Sequence, residues 1–180
     1  MDFCILSAGI GSRFKPFSNF ANKALAPIPY QTLLSKIINS IPLESKIYIA
    51  TGYLCEDLEE IIATVHSDRK IIFKRNLEFS STEMGDTLMS FIDDLSDEFV
   101  ILPNDGIYPD GLNIEKEKLS SDILLGTSRN EYNPNDYTNL LINQNQEITK
   151  IYRGCFSFGE DKNKFESKIF TGFMFIKNKN

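Results

Sequence analysis

The stretch that decides the fold lies at the start of the chain, where Phe3-Cys4-Ile5-Leu6-Ser7-Ala8-Gly9-Ile10-Gly11-Ser12-Arg13 is followed by Asn22-Lys23-Ala24-Leu25-Ala26-Pro27. The apolar run over residues 3–6 is short and β-prone, which predicts a buried parallel strand. Gly9 and Gly11 permit a positive φ, and without a Cβ they let a ligand approach the backbone closely. Successive N–H groups in such a turn form an anion-binding concavity, and Arg13 and Lys23 are suited to neutralise a bound phosphate.

Two better-known phosphate loops do not fit this run. Phe14 stands where the third glycine of a dinucleotide fingerprint would fall, and no Gly-Lys-Ser/Thr of a Walker A loop follows. A glycine pair after a strand is by itself equally typical of an ordinary tight turn. The whole run, however, resembles the signature of the nucleotidyltransferases that activate sugar phosphates and related phosphates. Ser7 and Asn22 depart from that signature, since alanine and proline are usual there, and the matching positions are Leu6, Ala8, Gly9, Gly11, Arg13, Pro16, Ser18, Lys23, Leu25 and Pro27.

Strands and helices alternate over the first half of the chain. Apolar runs predict strands over residues 46–51, 70–74 and 99–102, and helical spacing predicts helices over 32–41, 54–65 and 85–95. This alternation predicts an α/β fold with a mainly parallel central sheet. Ligands in such sheets bind at the carboxyl ends of the strands, where both the glycine loop and Asp105 emerge.

The second half has shorter predicted strands, over residues 123–126, 138–142, 148–152 and 169–176, and a predicted hairpin turn over 143–146. We therefore expect a small mixed flanking sheet. We predict a single domain, 1–180, with a nucleotide-binding half, 1–110, and an acceptor-binding half, 111–180. The resemblance implies the Rossmann-like three-layer αβα fold of nucleotide-diphospho-sugar transferases.

Asp105 ends an apolar strand and precedes Gly106. Without context, an Asp-Gly pair is equally typical of a turn. In the resembled family, a Gly-Asp at this place supplies the aspartate that holds Mg²⁺ on the nucleotide phosphates, and Asn104 stands here where glycine is usual. Because Mg²⁺ prefers oxygen ligands and needs few from the protein, we expect Asp105 to be the metal ligand and Mg²⁺ the cofactor.

A third segment carries Asn76, Phe79, Thr82, Thr87 and Leu88 at a spacing that resembles the base and ribose contacts of the phosphocholine cytidylyltransferase branch. From the residues alone it is a loop followed by a helix, with Thr82 as the N-cap. The resemblance implies a nucleotide-binding set made of Leu6, Ala8, Gly9, Gly11, Ser12, Arg13, Lys23, Thr82, Glu83, Gly85 and Asp86.

Acceptor contacts are predicted from Asn104, Thr171 and Gly172, since residues 170–176 resemble the strand that lines the acceptor site of the family. A core strand that needs Gly172 for close packing explains the same pattern equally well. The Glu-Lys-Pro with which many members hold a sugar is absent around Arg153, so another phosphorylated acceptor is credible. The family usually supplies a second metal-binding aspartate after this strand. Either the sequence is a piece of a longer enzyme, which is the expectation we favour, or the second carboxylate is missing.

Composition excludes several other classes of function. A net charge of −6 argues against a nucleic-acid or membrane partner, which would favour a basic surface. The cysteines are far apart and carry no metal-ligand spacing, so we expect buried, reduced thiols in a cytoplasmic protein. We expect the single histidine, His66, at the surface, which leaves no Ser/His or Cys/His pair for nucleophilic catalysis.

The sequence thus predicts a Mg²⁺-dependent nucleotidyltransferase that transfers NMP from an NTP, with CTP or UTP favoured, to a phosphorylated acceptor and releases pyrophosphate. Arg13, Lys23 and Asp105 are the predicted catalytic residues. Two alternatives stay open: a non-catalytic nucleotide-sensing domain, and a glycosyltransferase of similar fold, although Asn104-Asp105-Gly106 is not a D-x-D metal site. Homo-oligomerisation and a role in polysaccharide biosynthesis are expectations from the resemblance alone.

Overall fold

The computed structural model describes residues 1–108, 111–112, 122–128, 135, 137–154 and 165–177. The chain divides into two compact units, one made of Met1–Ile123 with Phe175–Asn180 and the other of Leu124–Met174. No helix in the described part of the chain combines the length and apolar character needed to span a membrane.

The first unit is built on a parallel four-stranded sheet. Its strands and helices are, in chain order, β1 (Asp2–Leu6), β2 (Pro27–Ile28), β3 (Gln31–Thr32), α1 (Leu33–Ser40), β4 (Lys46–Thr51), α2 (Cys55–Val65), β5 (Lys70–Arg75), α3 (Met84–Met89) and β6 (Phe99–Pro103). The sheet order is β5-β4-β1-β6, while β2 and β3 form a separate antiparallel pair. The predicted α/β class with a mainly parallel sheet is therefore confirmed.

The short strand β1 is the centre of this sheet because it pairs with β4 on one side and β6 on the other. Phe3, Cys4 and Ile5 are fully buried, as a strand covered on both faces requires. The apolar stripes of α1 and α2 supply further buried core residues, among them Ile37 and Ile62. Thr32 caps α1 by accepting a hydrogen bond from the Ser35 N–H, so the helix begins where a hydroxyl satisfies a free backbone donor.

The predicted helix over 85–95 is wrong in extent. α3 ends at Met89, and a separate 3₁₀ turn covers Ile92–Asp94. Phe91 between them leaves helical geometry, with φ of −140°, and its buried ring stacks on Tyr48 at a centroid distance of 6.4 Å. Burying this aromatic ring against a residue of β4 breaks the helix that local spacing favours.

The surface position expected for His66 is also wrong. His66 is only 6% exposed, and its Nε2 lies 3.0 Å from the Ser35 hydroxyl. Burial lowers the pKa of the His66 ring. The nearby charge of Asp68 opposes this decrease, and the charge of Arg69 adds to it. The histidine thus links the end of α2 to the start of α1 as a packed, neutral side chain.

The second unit contains β8 (Thr138–Asn143), β9 (Ile148–Arg153) and most of β7 (Ile123–Ser128) and β10 (Phe165–Ile176). β8 pairs with both β9 and β10 in antiparallel fashion. The predicted hairpin turn is confirmed, because the Gln146 N–H donates to the Asn143 carbonyl and Gln146 has a φ of 64°. β10 is longer than the strand predicted over 169–176.

Candidate functional site

The loop after β1 and the loop after β6 lie side by side because their strands pair in parallel, with Leu6 opposite Pro103. Gly11 has a φ of 66°, and the Phe14 N–H donates to its carbonyl over 2.8 Å to start a 3₁₀ turn, Ser12–Phe14. Of the two glycines that permit a positive φ, Gly11 adopts one and Gly9 does not. A Cβ at Gly9 would meet no atom within 4 Å, so its missing side chain leaves open space.

A cavity of about 370 Å³ lies over these loops, entirely within the first unit. Its walls combine the glycine loop, the residues after β6 and the start of α3. Ten residues predicted to belong to the nucleotide, metal or acceptor site line it together: Leu6, Ala8, Gly9, Gly11, Arg13, Lys23, Thr82, Glu83, Asn104 and Asp105.

Other predicted site residues do not line this cavity. Ser12 is exposed on the 3₁₀ turn, and Gly85 lies in the first turn of α3. The Asp86 carboxylate instead accepts the N–H of Glu83 over 2.9 Å, which makes it a helix-capping group. Thr171 and Gly172 lie on β10 in the second unit.

Four residues line the cavity that were not assigned to the site from sequence: Phe79, Met84, Thr87 and Pro103. Phe79 and Thr87 belong to the spaced segment that indicated a base contact, so their positions in that pattern were the available signal. Met84 and Pro103 each sit beside a predicted residue, and nothing in their local sequence marks them.

Lys23 and Asp105 form an ion pair across the cavity, with Nζ 2.5 Å from the carboxylate oxygen. The side chains are 25% and 53% exposed, respectively. Arg13 is exposed on its 3₁₀ turn, and no carboxylate among the described residues pairs with it. The cavity is therefore lined by two cations, Arg13 and Lys23, and by the carboxylates of Asp105 and Glu83.

Asn22 is buried behind the ion pair at 1% exposure. Its amide nitrogen donates to the Ser7 carbonyl at 3.1 Å and to the Tyr53 carbonyl at 2.8 Å. Its oxygen accepts the Ala24 N–H at 3.0 Å, which caps the 3₁₀ turn that carries Lys23. Three separate segments therefore meet at one side chain.

The wall opposite the glycine loop is held by Asn76. Its amide nitrogen donates to the hydroxyl groups of Thr82, at 2.8 Å, and Thr87, at 2.7 Å. The N-cap expected at Thr82 is wrong, since α3 is capped at Glu83 while the Thr82 hydroxyl donates to the Glu78 carbonyl. These bonds fix the loop before α3 and leave Glu83 exposed at the cavity.

Close backbone packing joins this wall to the glycine loop. A Cβ on Gly52 would lie 2.8 Å from both the Ala8 carbonyl oxygen and the Phe79 Cβ, so no side chain fits there. Phe79 in turn meets Tyr53 edge to face, at a centroid distance of 6.0 Å. Gly52 is thus required by a close approach and not by its φ.

Asp105 suits a metal ion that is coordinated mainly by the phosphates of a bound substrate and by water. Among the described residues no three His, Cys, Asp or Glu side chains gather into a metal cluster. Mg²⁺ is nevertheless commonly held by one or two carboxylates together with substrate phosphates and water. Burial and the neighbouring Asp105 charge raise the pKa of Tyr108 to about 12, so its phenol stays protonated beside that carboxylate.

The fold of the chain is similar to that of solved nucleotidyltransferase structures. A candidate glucose-1-phosphate thymidylyltransferase from Bacillus anthracis superimposes with a TM-score of 0.74 at 20% identity, covering 98% of this chain and 71% of that one. The CTP:phosphocholine cytidylyltransferase from Streptococcus pneumoniae gives a TM-score of 0.67 at 16% identity, covering 97% and 69%. The chain has the nucleotidyltransferase fold.

Sequence relatives agree with the nucleotidyltransferase fold at low identity. The bifunctional protein GlmU from Methanococcus aeolicus is 28% identical over 184 residues, which cover 94% of this chain and 41% of the relative. The curated relatives are matched over only 26% to 41% of their own lengths. No family model matches the chain.

Proposed function

We propose that the chain is a Mg²⁺-dependent nucleotidyltransferase that joins a nucleoside triphosphate to a phosphorylated acceptor. The observation that carries this proposal is the cavity over β1 and β6, which gathers the glycine loop, two cations and two carboxylates at one place. This arrangement suits a polyphosphate and a divalent cation, and it uses residues that lie far apart in the sequence.

The reaction needs positioning and charge neutralisation more than proton transfer. A phosphate oxygen of the acceptor attacks the α-phosphorus of the NTP, a new P–O bond forms, and the bond to the bridging oxygen breaks to release pyrophosphate. The attacking oxygen is already anionic near neutral pH, so no general base is required. Catalysis then rests on alignment and on preorganised cations.

Each charged residue of the cavity has a role in this scheme. Arg13 and the N–H groups of the glycine loop hold the β- and γ-phosphates. Lys23 leaves Asp105 and bridges the nucleotide and acceptor phosphates. Asp105, once freed of Lys23, would hold Mg²⁺, and a bound Mg²⁺ would neutralise further phosphate charge.

Glu83 distinguishes between the two nucleotides that the sequence favours. Its carboxylate is exposed at the cavity and, when ionised, can only accept hydrogen bonds. Cytosine offers an exocyclic amino donor, whereas uracil offers a carbonyl oxygen at the same ring position. We therefore assign CTP as the preferred nucleotide, with Thr82 beside the base.

The acceptor is a small phosphorylated molecule. The names of the structural neighbours include glucose 1-phosphate, phosphocholine and inositol 1-phosphate. The acceptor roles of Asn104, Thr171 and Gly172 stay predictions.

The test is pyrophosphate release by the purified chain with CTP, UTP, dTTP, GTP or ATP against each of those three acceptors, with and without Mg²⁺. We expect release with CTP and one acceptor, dependent on the metal. Thermal unfolding with each nucleotide runs in parallel. A nucleotide that raises the unfolding temperature without any pyrophosphate release would favour the sensing domain over the enzyme. No binding of any nucleotide would refute both.

A further inference from the structure

We propose that Asn22 is a positioning residue of the phosphate site, which holds Lys23 and the glycine loop in one fixed arrangement. This inference rests on the proposed function, since it concerns how the same cavity binds phosphate. Asn22 itself does not line the cavity and touches no ligand position.

Hydrogen bonds occupy almost all the donors and acceptors of the Asn22 side chain. An amide carries two N–H donors and one oxygen acceptor. Both donors are used, on the carbonyls of Ser7 and Tyr53, and the oxygen accepts the Ala24 N–H. Because the group is buried, these bonds are shielded from water and fix the partners firmly.

The three partners are the backbone of the site. Ser7 immediately precedes the Ala8–Gly11 loop, and Ala24 immediately follows Lys23. Tyr53 also contacts the loop directly, because its N–H donates to the Ala8 carbonyl at 2.9 Å. A Cβ built on Gly11 would lie 3.1 Å from the Lys23 Cβ, so the lysine stem already rests on the loop that Asn22 holds.

Asn22 stands where the resembled family usually has a proline, and its backbone conformation suits either residue. Asn22 has a φ of −61°, close to the value that a proline ring would impose. A proline would restrict the backbone before Lys23, but its ring could form no side-chain hydrogen bond. Asn22 keeps the same backbone angle and adds three bonds that tie the turn to its neighbours.

A double-mutant cycle separates this role from a general contribution to stability. The four proteins are wild type, Asn22→Ser, Lys23→Ala and the double variant. Serine retains an oxygen that caps the Ala24 N–H and removes both donors. The readout is the Kd for inorganic tripolyphosphate, and for CTP with Mg²⁺, by titration calorimetry well below each unfolding temperature.

We expect Asn22→Ser to weaken binding of both probes by about tenfold, the lower end of what groups that orient a site contribute. In the Lys23→Ala background, the same change should weaken binding less, by about threefold, because Lys23 is gone and only the glycine loop is left to be positioned. Asn139→Ser is the matched control. It removes another fully buried amide, which donates to the Tyr137 carbonyl in the second unit, and should leave both Kd values unchanged.

Equal losses in both backgrounds, or no loss in Asn22→Ser, would overturn the positioning role while leaving the proposed function intact. Failure of the wild-type chain to bind either probe would overturn both. If Asn22→Ser does not fold, Asn22→Pro replaces it, since a proline ring keeps the φ of −61° and removes all three side-chain bonds without adding charge.

Discussion

Replacing Lys23 by alanine should separate catalysis from stability. The Lys23–Asp105 pair is partly exposed, and ion pairs of this kind contribute only about 0–1 kcal/mol to folding. The lysine Cβ that rests near Gly11 remains in alanine. We therefore expect the unfolding temperature to fall by no more than about 2–4 °C for a chain of this size.

Loss of the same ammonium group from the transition state is far more costly. One preorganised electrostatic group in an enzyme site contributes about 2–4 kcal/mol, which corresponds to about 30- to 1000-fold in rate. Pyrophosphate release with CTP, Mg²⁺ and the best acceptor should fall by a factor in this range.

The chain contains a closely matched control in Lys74, which pairs with Asp94. That pair has the same 2.5 Å separation, and its side chains are 31% and 52% exposed, against 25% and 53% for Lys23 and Asp105. Neither Lys74 nor Asp94 lines the cavity. Lys74→Ala should lower stability as little as Lys23→Ala and leave the rate unchanged. Full activity in Lys23→Ala, or equal losses in the two variants, would refute the role assigned to Lys23.

Further predictions concern the walls and the core. Gly52→Ala places a methyl group 2.8 Å from two atoms of the cavity walls and should cost about 1–3 kcal/mol in thermal unfolding, with weakened CTP binding. Glu83→Gln should reduce the preference for CTP over UTP by about fivefold or more in competition assays. Burial lowers the pKa of His66, so the unfolded state binds a proton on this ring more readily than the folded state does. The free energy of unfolding should therefore be largest above about pH 6.5 and decrease below it. In urea titrations, His66→Gln should reduce this dependence of stability on pH. Burial raises the pKa of Cys4 to about 12, so at pH 8 iodoacetamide should modify half-exposed Cys55 and spare Cys4.

The sheet of the first unit was predictable because its apolar runs are unambiguous. β4 matches the predicted residues 46–51 in full, and β1, β5 and β6 differ by one residue at an end. α3 was mispredicted because the break at Phe91 depends on Tyr48, a partner that no local window contains. The burial of His66 has the same origin, since its partner Ser35 lies on another helix.

For the candidate site, the sequence identified most of the residues that the cavity gathers but not how they are held. Residue types and spacing pointed to Arg13 and Lys23, because their charges suit phosphate, and the family resemblance pointed to Asp105 as a metal ligand. Asn22 was only a departure from a pattern, and two of its three bonds depend on the carbonyls of Ser7 and Tyr53, whose positions follow from the sheet. Residues that bind a ligand through their charge can be recognised from the sequence. Residues that hold other residues in place can be recognised only from the fold.

The pairing of Lys23 with Asp105 also ties the site to the folding of the sheet. The two residues are 82 positions apart in the chain, and the parallel pairing of β1 with β6 is what brings their loops together. A ligand that contacts both residues binds the folded state alone, so at a hundred times its Kd it would add about 2.7 kcal/mol to the free energy of unfolding. The amides of β1 and β6 that exchange hydrogen most slowly should then exchange still more slowly when the cavity is occupied, although neither strand forms the cavity by itself.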